Sequence, residues 1–122
     1  MIKGYSTEKL VDLIVLGMQE KKANNITVLN LSTTDNSICD YFVICDAQST
    51  TQVDAIAGSI EETVEKLSGE KALHKEGTEN ATWILLDYMD VVVHVFQSES
   101  RDFYNLEEFW EDAEKKEIIE AY

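Results

Sequence analysis

Proline is absent from this 122-residue chain, and cysteine occurs only twice. Without proline no stiff extended linker separates parts of the chain, and the length suits one domain with a single core. Cys39 and Cys45 make no disulfide framework and match no metal-ligand spacing. They read as reduced thiols of a cytosolic protein, with Cys45 in the core. No apolar run approaches the ~20 residues that a membrane-spanning helix needs. The apolar patch of residues 1–17 is broken by Lys9 and Asp12 and lacks a small-residue cleavage site. It reads as an amphipathic helix and not as a signal peptide.

Positive charge is also scarce: Lys and Arg number 10 against 24 Asp and Glu, a net charge of −14. Binding dominated by phosphate contacts needs clustered Lys and Arg, so the balance argues against nucleic acid as the main partner. It favours a basic partner, with an attraction that weakens as salt rises, and it also serves plain solubility.

What the chain does have is residues 82–97, TWILLDYMDVVVHVFQ. Two β-rich apolar runs, 82–87 and 91–97, flank a short turn at 88–90. Val91, Val93 and Val95 point to one face, and Val92, His94 and Phe96 to the other. Both faces are apolar, which predicts a hairpin at the centre of a sheet with helices on each side.

Around it, Ser6 or Thr7 caps a predicted helix reaching Lys22, which Asn24 and Asn25 end. Residues 26–31 alternate as a strand nearer an edge, and residues 41–45, YFVIC, form a buried one. Thr50 or Thr51 caps a second helix with a core stripe of Val53, Ile56, Ala57, Ile60, Val64 and Leu67, stopped at Gly69. Residues 71–75 make a short strand. Ser98 caps a helical turn, and Asn105 caps a last helix whose residues 111–122 form a charged helical extension. The expected fold is α/β (α+β): one domain, 1–122, with a mixed five-stranded sheet and helices packed on it.

No residue set assembles catalytic chemistry. P-loop, GxGxxG and GxSxG motifs are missing. His94 in an apolar strand reads as a core histidine before a catalytic base. Asp87 and Asp90 at the hairpin turn suit backbone N–H groups better than a metal, since no third ligand follows nearby. A nucleotidyltransferase would need a Gly-Ser turn ahead of paired carboxylates, and the Gly-Ser here, Gly58–Ser59, lies inside the second helix. No catalytic, cofactor or metal residues are assigned. Trp83 and Tyr88 divide between ordinary core and a protein-binding face. Phe103, Tyr104, Phe109 and Trp110 read as core that seats the last helix.

Four segments carry a resemblance: DYFVIC at 40–45, QVDAIA at 52–57, EGTENATWILLDYMDVVVHVF at 76–96 and SRDFYNLEEFW at 100–110. In this order and spacing the chain resembles the ribosomal silencing factor (RsfS, Iojap-like) family, from the first helix to Trp110. Met89 departs from the family's usual Gly in the DYGD turn. Asp46–Ala47 departs from its small residue plus Gly, and Thr51 from its basic residue. The acidic tail lies outside the resemblance.

The resemblance implies a fold shaped like nucleotidyltransferases without their active site, and no enzyme activity. It implies binding to the large ribosomal subunit through large-subunit ribosomal protein fourteen, which sterically blocks the small subunit and represses translation in the cytoplasm. It further implies a homodimer when free, and a partner-binding set of Trp83, with Leu85, Asp87 and Tyr88 as neighbours. The competing readings are a nucleotide-binding enzyme and a dimeric adaptor with no ribosomal role.

Overall fold

A computed structural model describes residues 6–34, 38–120 and 122. The chain runs α1 (Thr7–Glu20), β1 (Asn24–Asn30), β2 (Tyr41–Ala47), α2 (Thr50–Ser68), β3 (His74–Glu76), β4 (Trp83–Asp87), β5 (Val91–Gln97), α3 (Ser98–Tyr104), a 3-10 helix (Leu106–Trp110) and β6 (Glu114–Glu117). Part of the polar connection expected between the first two strands, residues 35–37, lies outside the described residues.

Local chemistry sets the helix ends. The Ser6 hydroxyl accepts the Lys9 N–H and Glu8 sits in the first turn, so α1 begins with a capped, charge-matched terminus. In α2 the cap is Ser49, which accepts the Gln52 N–H, and not Thr50 or Thr51 as expected. Gly69, at φ 80°, ends α2 as predicted. Lys22 (φ 55°) takes the left-handed position after α1, while Asn25 (φ 53°) forms an irregularity inside β1. Ser98 is the first residue of α3 and makes no side-chain cap.

The sheet order is β3-β4-β5-β2-β1-β6. β2 and β5 pair in parallel, and every other pair is antiparallel. The mixed α+β architecture is as expected, with six strands where five were predicted. The hairpin contributes only half of the centre. β5 is central with β2, and β4 lies one strand from the edge.

The extra strand comes from residues predicted to be helical. Leu106–Trp110 is a single 3-10 helix, and Glu114–Glu117 pairs antiparallel with β1, Thr27 opposite Glu117. The charged helical extension is therefore corrected to an edge strand. Its four residues are all exposed, so main-chain pairing to β1 holds it rather than any apolar stripe. The charged side chains of Glu114, Lys115, Lys116 and Glu117 on that edge also discourage further strand addition.

α1 and α2 cover one face. Leu10, Ile14 and Met18 meet Val53, Ile56, Ile60 and Val64 over Val43, Cys45, Ile84, Leu86, Val91, Val93 and Val95. At Gly17 an added Cβ would stand 2.7 Å from the Ile60 Cα, so glycine sets how closely the helices approach. Leu67, expected in this core, is exposed. On the opposite face Leu29, Leu31, Phe42, Ile44, Phe96 and Ala113 form a smaller cluster, with Trp83, Val92, Leu106 and Trp110 packed against it. Among the described residues, α3 and the 3-10 helix are the helical elements over this face, toward β2 and β5. Leu85 and Asp87 in β4 stay half-buried, and His74 and Glu76 opposite them are exposed.

Candidate functional site: an aromatic face on β4 and α3

Trp83 opens β4 opposite Phe96, Leu85 stands opposite His94, and Asp87 opposite Val92. In antiparallel pairing, opposite residues share a face, so these side chains lie together on the sparsely covered side. The preceding loop holds Trp83 from behind. Gly77 has φ 87°, and any Cβ there would collide with the Trp83 carbonyl. The Ala81 N–H donates to the Gly77 carbonyl at 3.0 Å, closing the turn.

The half-buried indole packs at 4.8 Å from the Phe96 ring and 5.0 Å from the Tyr104 ring. Its Nε1–H donates to His94 Nδ1 at 3.1 Å. His94 is 3 % exposed, and Phe42 meets it edge-on at 4.5 Å. Burial pushes the imidazole down to about 3, so it is neutral near pH 7, and the accepting Nδ1 puts its proton on Nε2. The core reading of His94 is the one the structure bears out.

Outward, Phe103 meets Tyr104 edge-on at 5.0 Å. Phe103 and Phe109 are 81 % and 78 % exposed and Tyr104 is also exposed, which corrects their expected place in the core. Trp110 does pack inward, edge-on to Phe42 at 5.8 Å. Helical spacing in the sequence read these rings as one face seated on the sheet. Asn105, at φ 47°, separates α3 from the 3-10 helix, and the rings divide between inward and outward positions.

Of the predicted set, Trp83 and Leu85 share the open face. Asp87 shares it too, but its Oδ1 accepts the Met89 N–H at 2.7 Å, so the carboxylate serves the turn. That bond steadies Met89, which holds φ 75° where glycine would be easier. Tyr88, expected on the surface, is 3 % exposed and belongs to the core under α1 and α2. The odd-numbered face of β4 ends at Asp87, and the next side chain turns inward.

A buried ion-pair network seats α3. Arg101 donates to Asp46 at 3.0 Å, to the Asn25 carbonyl at 2.6 Å, to the Thr27 hydroxyl at 3.1 Å and to Glu107 at 3.1 Å. Ser98 adds a 3.0 Å bond to Asp46. Burial works against the guanidinium charge, but Glu107 and Asp46 outweigh it and hold the pKa above its ordinary value. All three guanidinium nitrogens of Arg101 donate within the fold, which ties α3 to β1, β2 and the 3-10 helix.

Among the described residues no group of three or more His, Cys, Asp or Glu is arranged to hold a metal ion. Gly58–Ser59 lies within α2, and the Ser59 hydroxyl donates to the Gly17 carbonyl at 2.8 Å. Burial raises both thiols, Cys39 to about 11, so they stay protonated near neutral pH. No helix among the described residues is long and apolar enough to cross a membrane.

The family model described as "Ribosomal silencing factor during starvation" matches residues 5–121. The match runs through β6, so the tail beyond Trp110 lies within the family and not outside it. A ribosomal silencing factor RsfS of Halalkalibacterium halodurans is 39 % identical over 93 % of this chain and 95 % of its own. That of Bacillus subtilis is 36 % identical over 87 % and 88 %. A crystal structure of a Chromobacterium violaceum protein superposes with a TM-score of 0.83 at 26 % identity, covering 96 % of this chain and 97 % of that one. Matched along nearly its whole length, the chain belongs to the ribosomal silencing factor (RsfS, Iojap-like) family.

Proposed function

We propose that the protein represses translation by occupying the large ribosomal subunit. It binds large-subunit ribosomal protein fourteen on the face that meets the small subunit, and its bulk keeps the two apart. Occlusion of this kind requires a surface and no reacting group, so the reading assigns no catalysis.

The observation that carries it is the half-open aromatic face of Trp83, Leu85 and Tyr104 on a strongly acidic chain. Trp and Tyr are the residues that most often anchor interfaces, and net negative charge steers association with a basic ribosomal protein. Trp83 and Leu85 make the contact, and Asp87 shapes its edge. The protein works in the cytoplasm and is a homodimer when free, so binding exchanges one partner for another.

Co-sedimentation with isolated large subunits tests the assignment. Trp83→Ala, shown folded by circular dichroism, is expected to leave the large-subunit fraction, and raised salt to weaken the wild type. Undiminished co-sedimentation of Trp83→Ala overturns the placement of the interface.

A further inference from the structure

We infer that His94 is a positioning residue for this docking face: it takes the one polar atom of the Trp83 indole, so that the anchor is fixed before binding and meets its partner as an apolar surface. The inference rests on the proposed role of Trp83.

An indole has a single N–H donor and no acceptor. Here that donor is spent inside the molecule, on His94 Nδ1 at 3.1 Å. The imidazole sits among rings, with Phe42 at 4.5 Å, Trp83 at 5.9 Å and Phe96 at 6.2 Å between centroids. Leu85 stands opposite it across the strand pair. A protonated ring would aim an N–H from Nδ1 at the indole N–H, donor against donor, so the pair requires neutral histidine.

The position is a poor one for histidine on stability grounds alone. Nε2 is buried with no hydrogen-bond partner, and an orphaned buried polar atom is costly. The same-face neighbours Val92 and Phe96 are apolar, and an apolar side chain at 94 would remove the orphaned Nε2 while leaving the Trp83 N–H without its acceptor. Among the described residues the imidazole makes one hydrogen bond, and it goes to Trp83. What that bond provides is orientation. The indole is held between Phe96 and Tyr104 with its nitrogen turned inward, so its outer edge carries no unmet donor.

Two consequences follow for the partner. It needs no acceptor opposite Trp83, and aliphatic side chains are the matching chemistry. The ordering of the indole is also complete before contact, which spares the interface the entropy of fixing a large side chain.

The test uses the full chain with His94→Phe, which keeps ring volume but removes the acceptor, and His94→Asn, which keeps an acceptor near the Nδ1 position. Hydrogen exchange of the Trp83 indole proton is followed by NMR, with Trp110→Phe distinguishing the two tryptophans. Binding to isolated large subunits is measured beside it. His94→Phe is expected to keep its unfolding temperature, exchange the indole proton on the order of tenfold faster, and bind roughly two- to tenfold more weakly. His94→Asn is expected to recover part of both protection and binding. Wild-type affinity in His94→Phe with an unprotected indole overturns the inference, as does free exchange of that proton in the wild type. If His94→Phe does not fold, His94→Asn decides, and weakened binding with protection intact overturns it. Wild-type binding by Trp83→Ala is a different failure: it removes the docking assignment itself, and with it the role given to His94.

Discussion

Arg101 and Asp46 lie 55 residues apart in the chain and meet at 3.0 Å with their side chains only 10 % and 5 % exposed. The pair joins the middle of α3 to the end of β2, and Tyr104 at the end of α3 rests on Trp83. Removing one member of a buried pair leaves the other charge uncompensated. Arg101→Met is therefore expected to lose roughly 3–5 kcal/mol of stability in urea unfolding, and Arg101→Lys less, because an ammonium cannot span Asp46 and Glu107 together. A loss below about 1 kcal/mol for Arg101→Met contradicts the anchoring role.

The α1–α2 contact gives a second prediction with its own control. Gly17→Ala would press a methyl to 2.7 Å from the Ile60 backbone, and the helices must separate. Thermal or urea unfolding is expected to show a loss of about 1–3 kcal/mol. Gly58 lies on the exposed side of the same helix pair with nothing within 4 Å, so Gly58→Ala is expected to gain about 0.5–1 kcal/mol. Equal effects at the two sites contradict the close-approach account.

His94 makes stability depend on pH. Burial in the folded chain pushes its pKa from 6.5 down to about 3, so the unfolded chain takes up the proton first. The contribution is fully present above pH ~6.5 and is lost as pH falls from there toward 3, with a limiting slope of about 1.4 kcal/mol per pH unit. Unfolding free energies between pH 7 and 5 are expected to fall less steeply in His94→Phe than in the wild type. Identical slopes would mean that the imidazole titrates normally in the fold.

Strand β6 closes the edge of β1, and around it Ala113 and Ile118 pack on opposite faces while the Tyr122 hydroxyl donates to the Ala23 carbonyl. Truncation after Glu111 is expected to lower stability by roughly 2–3 kcal/mol and to promote self-association through the bared β1 edge. Light scattering and thermal unfolding check both effects. A truncated chain that melts like the whole one and stays dispersed contradicts the strand assignment.

How much of this was readable in the sequence depended on whether the governing contacts were local. The α2 stripe from Val53 to Val64 and the two-faced alternation of Val91–Phe96 were legible, because periodicity and burial there agree. The final strand was not. Glu114–Glu117 carries no apolar alternation and is a strand only because β1 offers it hydrogen bonds. The break at Asn105 was legible as a helix cap, but the seating of α3 by Arg101 reaching back to Asp46, Asn25 and Thr27 was not. For the site, family resemblance singled out Trp83, but Tyr104 beside it and Tyr88 past the far end of β4 were exchanged between surface and core. Only the register of β4 and the seating of α3 settle which ring faces out.

The central claim is that binding alone keeps the subunits apart. Its most direct test is to mix dissociated small and large subunits with an excess of the protein under conditions that favour joining, and to resolve the products by sedimentation. Steric occlusion gives fewer whole ribosomes, with the protein travelling on free large subunits, and recovery of whole ribosomes with Trp83→Ala. Whole ribosomes forming undiminished while the protein sits on the large subunit would contradict it.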